Sequence, residues 1–184
     1  MLRADVAALA SRTGRGRSES SASLYGRLMR DSVTMHMAAS AETIWAVVSD
    51  VTRIGEFSPE TFEAEWLDGA SGPAVGARFR GHVRRNGRPP TYWTTCRVTE
   101  CEPGRAFVFA VLLGGKAVNT WGYHLAPSGN GTDVTESFAL TETMSLRLYW
   151  ALAGRWRGTT NRNGMHTTLE RIKALVESGD APTP

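Results

Sequence analysis

The sequence lacks the features that mark several common protein classes. It has no run of about 18 consecutive apolar residues, which excludes a transmembrane helix. Its 2 cysteines, Cys96 and Cys101, are too few for a zinc site. They lie five apart on one predicted strand, so alternation places them on opposite faces and argues against a disulfide. We therefore expect reduced thiols and a cytoplasmic location.

Sequence motifs of familiar catalytic and cofactor sites are missing as well. GxSxG, GxGxxG and the P-loop are absent, which argues against a nucleophile elbow, a dinucleotide site and a nucleotide-phosphate site. The 4 histidines show neither HxH nor HExxH spacing, the usual arrangements for metal ligands. We therefore expect no metal and no cofactor.

Positive charge is concentrated at the start of the chain. Residues 1–30 carry six arginines against Asp5 and Glu19, an excess of four, whereas the whole chain has a net charge of +3. Residues 31–184 are thus close to neutral, which argues against a nucleic-acid-binding face. Residues 1–30, rich in Arg, Ser and Gly, are expected to be a flexible basic arm, and residues 179–184 a disordered tail.

The remaining pattern predicts a single α+β domain over residues 31–178. Alternation in SVTMHMA predicts a first strand, and Ser40 is the expected N-cap of a helix over AETIWAVVSD. A second short helix is expected to end at Ser58-Pro59. Further strands are predicted at 60–68, 76–85, 91–102, 105–113, 117–126 and 132–141, separated by turn residues. A helical segment at 144–154, a polar stretch and a final helix over 159–178 complete the chain.

This order implies a curved sheet and a terminal helix. Six or seven consecutive strands without intervening helices should pair in antiparallel fashion and twist strongly. A curved sheet wrapped around one long C-terminal helix leaves an interior that side chains or a ligand must fill. The pattern alone is equally compatible with an enclosed ligand cavity and with a solidly packed α+β core.

Several segments resemble one superfamily in the order in which they occur. SAETIWAVVSDVTRIGEFSPE, with Trp45, Asp50 and the Phe57-Ser58-Pro59 turn, is similar to the opening of the helix-grip (SRPBCC, START-like) superfamily. The later strands resemble those of the same superfamily in the same order, with the segments GARFRGHVRRNG, WTTCRVTECEPGRAFVF, WGYHLAP and GTDVTES. The chain most resembles small actinobacterial polyketide cyclase/dehydrase-like members over about residues 31–178. The resemblance implies a helix-grip fold that binds a hydrophobic small molecule such as a lipid or polyketide.

Alternation along the strands identifies a candidate lining for the interior. On each strand the apolar set should point inward, whereas Arg78, Arg80, His82 and Arg84 fall on the other face with His124. The candidate ligand-binding residues are Trp66, Phe79, Val83, Trp93, Phe107, Phe109, Val111, Trp121, Tyr123, Phe138, Met165 and Leu169.

Two polar residues lie among these inward apolar sets. A carboxylate there, Glu136, is unfavourable unless it is paired or protonated, which makes it a candidate general acid or base. Tyr123 is the candidate hydrogen-bond donor to a ligand carbonyl. The alternatives are a structural ion pair or solvated end for Glu136 and a satisfied core hydroxyl for Tyr123. The sequence thus predicts a carrier or sensor of a hydrophobic molecule, with a polyketide cyclase/dehydrase-type enzyme as the alternative.

Overall fold

The computed structural model describes residues 30–141 and 144–178, with side chains for all of these except Asn86 and residues 144–160. Its strands are β1 (Arg30–Met37), β2 (Thr61–Trp66), β3 (Arg78–Arg84), β4 (Thr91–Glu102), β5 (Ala106–Leu113), β6 (Lys116–Ser128) and β7 (Gly131–Leu140). Its helices are α1 (Ala41–Ser49), α2 (Ile54–Phe57) and α3 (Met144–Glu177), with 3₁₀ turns at Val51–Arg53 and Arg85–Gly87. Of the predicted basic arm over residues 1–30, only Arg30 is described, and it begins β1. The rest of the arm and the predicted tail over 179–184 lie outside the described residues.

All seven strands form one antiparallel sheet. The spatial order is β1-β7-β6-β5-β4-β3-β2, so the first strand pairs with the last and every other neighbour is a hairpin partner. The predicted α+β helix-grip fold is confirmed. β1 ends beside the β6–β7 hairpin, whereas β2 begins beside the β3–β4 hairpin at the other end of the sheet. The two short helices between them therefore lead from one edge and one end of the sheet to the other.

The short helices begin where capping chemistry predicts. The Ser40 hydroxyl accepts a hydrogen bond from the Thr43 N–H at 3.1 Å, which caps α1. Asp50 caps the following 3₁₀ turn by accepting from the Thr52 N–H at 3.0 Å. Trp45 of α1 donates its indole N–H to the Ala106 carbonyl at 3.2 Å, at the start of β5. This contact fixes α1 over one end of the sheet.

The C-terminal helix is longer than predicted. Two helical segments flanking a polar stretch were expected, but α3 runs without interruption from Met144 to Glu177. In its described side chains, Met165, Leu169, Ile172 and Val176 form the buried stripe. Lys173 donates to the His36 carbonyl at 3.0 Å, and the Arg162 guanidinium lies 3.8 Å from Asp31. The helix therefore runs in the same direction as β1.

A bulge in β4 changes the expected orientation of one cysteine. The register shifts between Val98 and Glu100, so Thr99 is an extra residue and alternation is reset beyond it. Cys101 pairs with Phe107 and packs against the core, while Cys96 is buried on the same face. The prediction that the two cysteines lie on opposite faces is wrong for this reason. Both thiols are free.

Within the part of the chain that the structure describes, no helix is long and apolar enough to cross a membrane.

Candidate ligand site on the inner face of the sheet

The inner face is the side of the sheet that packs against α1 and α3. Phe79, Phe107, Phe109, Tyr123 and Phe138 lie on it and are buried. Phe79 and Phe109, on strands β3 and β5, meet edge to face with ring centroids 5.1 Å apart. Alternation along the strands therefore located the centre of this face correctly.

The helix supplies the opposite wall. Met165 and Leu169 of α3 are fully buried within the same core cluster as the sheet aromatics. Their spacing of four residues places them on one side of the helix, one turn apart. The predicted inward positions of both residues thus agree with the packing of α3 against the sheet.

Burial along the inner face falls steadily toward one end of the sheet. On β5, Phe107 is 1% exposed, whereas Val111 is half-buried and Leu113 is 74% exposed. On β6, Tyr123 is buried and Trp121 is half-buried. Val83 on β3 is half-buried in the same way, because it too lies near the end where β3 turns into β4.

The other end of the inner face is closed. Ile44, Val47 and Val48 of α1 are buried there, beside the start of β5. Trp66, at the end of β2, is half-buried and packs edge to face on Phe79 at 5.7 Å. Burial of the inner-face side chains thus increases from the more exposed, open hairpin end to the end beneath α1, and we call this graded inner face the recess.

A tyrosine–glutamate pair lies where this recess becomes fully buried. Tyr123 and Glu136 are directly opposite each other in the β6–β7 register. The Tyr123 hydroxyl donates to Glu136 Oε1 at 3.3 Å, and Glu136 is only 4% exposed. Phe57 of α2 contacts the Tyr123 ring edge to face at 6.4 Å. The pair is held by the sheet on one side and by α2 on the other.

Burial changes the proton affinity of both groups. Desolvation raises the pKa of Glu136 to about 8, and the hydrogen bond from Tyr123 opposes that rise. Desolvation, and secondarily the charge of Glu136, raise the pKa of Tyr123 well above its usual value. A carboxyl group with a pKa near neutrality can both donate and accept a proton, which suits general acid–base chemistry.

The second carboxyl oxygen of Glu136 has an open hydrogen-bonding position. Among the described residues, Oε2 is buried and has no partner. The ion pair considered as an alternative from the sequence is therefore not formed within that part of the chain. A buried oxygen in this state is destabilising unless a ligand or water satisfies it.

The more deeply buried of the two thiols is unsuited to nucleophilic chemistry. Cys96 is buried on β4, and desolvation raises its pKa to about 12, partly offset by a hydrogen bond with Thr94. A thiol with so high a pKa carries almost no thiolate at neutral pH.

Trp93 was predicted to line the interior, and the structure places it on the outer face. It is 41% exposed and stacks on His82 with ring centroids 4.4 Å apart, beneath the Arg80 guanidinium. Strand alternation explains this position. Thr94 and Cys96 point inward on β4, so Trp93, which directly precedes Thr94, points outward. His82, expected to be solvated, is instead half-buried between Trp93 and Phe62.

Asn119 is an inner-face residue that the sequence analysis did not single out. It lies on β6, half-buried, and its Oδ1 atom is buried without a partner among the described residues. Its place two residues before Trp121 and four before Tyr123 was a usable signal, since all three share one face of a regular strand.

Two surface cavities lie outside the centre of the inner face. One of about 580 Å³ is at the β3–β4 hairpin, lined by Arg85, Arg88, Pro89, Pro90 and Tyr92. Another of about 380 Å³ is formed where β1 and β7 meet α3. Phe138, one of the candidate ligand-binding residues, lines it. Arg30, Asp31 and Arg162 make that second cavity polar at its rim.

Comparison with known proteins places these observations in a family. The family model described as "Polyketide cyclase / dehydrase and lipid transport" matches residues 30–177. A polyketide-cyclase-like protein from Corynebacterium glutamicum, solved by NMR, is 29% identical over 80% of this chain and 91% of that chain, with a TM-score of 0.56. No curated protein matches the sequence.

More distant structures share the fold. A protein from Deinococcus radiodurans is 21% identical over 82% of this chain and 96% of that one, with a TM-score of 0.54. The di-domain ARO/CYC StfQ from the steffimycin biosynthetic pathway is 12% identical over 83% of this chain and 51% of its own, with a TM-score of 0.64.

Proposed function

Because the chain belongs to the polyketide cyclase / dehydrase and lipid transport family, we propose that it binds a hydrophobic small molecule on the inner face of its sheet. The role we assign is that of a carrier or sensor. The observation that carries the proposal is the gradient of burial along that face, from fully buried Phe107 to half-buried Val111 and Trp121. We infer that the ligand enters from the hairpin end, where the inner-face side chains are least buried.

The energetics of this recess favour an apolar occupant. Covering apolar surface stabilises a complex by roughly 25 cal/mol for each Å² removed from water. Trp121 and Val111 present such surface at the open end, and the nearest buried ionisable group is Glu136, whose raised pKa leaves it mostly neutral at pH 7. A neutral apolar molecule therefore meets little electrostatic penalty here, whereas an anion would face the Glu136 carboxylate whenever it ionises.

A matched pair of tryptophan variants tests this proposal. Trp121→Ser should weaken binding of a neutral fatty alcohol such as decanol, measured by calorimetric titration of the purified chain. Trp93→Ser, on the outer face, should leave the affinity unchanged. Equal affinity in both variants and the wild type, or loss in Trp93→Ser alone, would contradict a site on the inner face.

The Tyr123–Glu136 pair supports a second candidate function, that of a polyketide cyclase/dehydrase-type enzyme. The Glu136 carboxylate would take the proton from the carbon beside the ligand carbonyl and then return it to the β-hydroxyl, so that the C–O bond breaks, a C=C bond forms and water leaves. Tyr123 would turn its hydroxyl from Glu136 to the ligand carbonyl and stabilise the enolate that forms between these two proton transfers. The support is geometric: a buried carboxyl with one open oxygen stands 3.3 Å from a phenol on the same face.

One substitution distinguishes an enzyme from a protein that only binds the ligand. Glu136→Gln keeps the size of the side chain but removes the titratable proton. With a β-hydroxy-ketone thioester analogue as probe, the variant should bind as the wild type does but no longer release water, and mass spectrometry detects that loss of 18 Da. Unchanged turnover would exclude Glu136 from acid–base catalysis and leave the carrier role.

A further inference from the structure

Two buried side-chain oxygens lack partners among the described residues, and both lie on the inner face. They are Oδ1 of Asn119 on β6 and Oε2 of Glu136 on the adjacent strand β7. Buried polar atoms in native proteins are nearly always hydrogen-bonded, so each unpaired one calls for a reason. Two of them on neighbouring strands of one recess point to a common cause.

The local structure at Asn119 supports a functional reason. Asparagine is depleted in strands, yet this one lies within β6 on the face that carries Trp121 and Tyr123. The register shifts beside it: Val111 pairs with Asn119 and Leu112 with Ala117, so Val118 is an extra residue. Bulges of this kind reorient neighbouring side chains and are common next to binding sites.

The strand register fixes the separation between the two residues along the sheet. Tyr123 is directly opposite Glu136, and Asn119 precedes Tyr123 by four residues on the same strand. At about 3.3 Å per residue, the two polar positions are about 13 Å apart along the recess. Trp121 lies between them on the same face and is half-buried. The arrangement is polar, apolar, polar from the open end inward.

We propose that the ligand is an elongated apolar molecule with a hydrogen-bonding group at each end. A hydroxyl at the outer end donates to Asn119 Oδ1, a hydroxyl or carbonyl at the inner end hydrogen-bonds Glu136 Oε2, and the apolar middle packs on Trp121. This inference rests on the proposed binding function and adds Asn119 as the residue that selects for a second polar group.

Terminal alcohols and diols of matched length test the two-ended ligand. Decanediol with hydroxyls at both ends should bind the wild type about three- to tenfold more tightly than decanol, because it satisfies one more buried oxygen. Asn119→Leu, of similar size, should abolish that preference and retain decanol binding. Hexanediol is too short to reach both oxygens and should bind no more tightly than hexanol.

The outcomes separate this inference from the function on which it rests. If decanol binds but decanediol shows no preference, or keeps its preference in Asn119→Leu, the second anchor is wrong and the binding function stands. If neither alcohol binds, the proposed function fails and this inference fails with it. A preference that appears equally for hexanediol would also overturn the two-point geometry.

Thermal unfolding of the ligand-free protein distinguishes an asparagine that binds the ligand from one that stabilises the fold. Replacing an unpaired buried oxygen with an apolar group removes a destabilising feature, so Asn119→Leu should unfold at the same or a higher temperature than the wild type. A marked fall in the unfolding temperature would show that Asn119 is held by the fold itself and would overturn its assignment to the ligand.

Discussion

Tyr123 and Glu136 face each other across strands β6 and β7, and the tyrosine hydroxyl donates a 3.3 Å hydrogen bond to one carboxyl oxygen of the glutamate. This relationship leaves the other carboxyl oxygen open toward the interior. It also couples the protonation of Glu136 to a neighbour whose own pKa is raised by burial. Hydrogen bonding and proton binding on the inner face therefore depend on this pair.

Protein stability should fall as pH rises from about 4.5 to about 8. The pKa of Glu136 is near 4.5 in the unfolded chain and about 8 in the folded one, so the folded protein binds more protons in this window. The loss approaches about 5 kcal/mol as an upper limit once pH exceeds the folded pKa. Below about pH 4.5 Glu136 is protonated in both the folded and the unfolded state, so this loss of stability is absent.

Glu136→Gln provides the control for that pH dependence. Without the titratable carboxyl, the free energy of unfolding by urea should be much flatter between about pH 5 and about pH 8. The variant should be more stable than the wild type at the upper end. Parallel pH profiles for the two proteins would show that Glu136 is not the buried group responsible.

Tyr123→Phe should raise the pKa of Glu136 further. The phenolic hydrogen bond is the interaction that lowers this pKa against desolvation, so its removal leaves burial unopposed. Titration of the Glu136 side-chain carbon by NMR measures the shift directly. Tyr92→Phe, at an exposed tyrosine, should leave the titration unchanged. A lower pKa in Tyr123→Phe would refute the assignment.

Phe79→Ala should destabilise the fold severely. Phe79 is buried between Trp66 and Phe109, and truncation of such a side chain costs about 3–5 kcal/mol through lost burial and the cavity left behind. Leu113→Ala, at an exposed hairpin residue, should change the free energy of unfolding by less than about 0.5 kcal/mol. Chemical denaturation of both variants is the check, and comparable losses would mean that the core is misplaced.

The two cysteines should differ in their reaction with a thiol reagent. Cys96 is buried and its pKa is raised to about 12, so it should be modified only when the protein unfolds. Cys101 is half-buried and should react first, although burial raises its pKa as well. Peptide mapping after brief labelling of native protein distinguishes them. Rapid labelling of Cys96 would contradict the packing of β4.

Strand alternation was sufficient to locate most of the inner face. A period of two residues fixes orientation wherever a strand is regular, which is why Phe79, Phe107, Tyr123 and Glu136 were placed correctly. It failed at Cys101 because a bulge adds one residue to β4, and bulges leave no clear mark in a single sequence. Trp93 was assigned by residue type, whereas its position in the alternation was outward.

Tertiary context accounts for what else the sequence did not reveal. The polar stretch within residues 155–164 was predicted to separate two helical segments, yet the backbone continues as one helix through it. Alternation places Asn119 on the face of Trp121 and Tyr123, but it gives only the face of a residue and not its hydrogen-bond partners. Its significance depends on the missing hydrogen-bond partner and on the neighbouring bulge.

Photo-crosslinking of a bound fatty alcohol that carries a diazirine identifies the face of the sheet on which the ligand lies. Mapping of the labelled peptides by mass spectrometry shows which face of the sheet contacts the alcohol. We expect labels on the inner face at Val111, Trp121 or Phe138, and these labels should decrease when unlabelled decanol competes. Labels confined to the outer face at Phe62 or Trp93, or labels on the inner face that decanol does not displace, would contradict it.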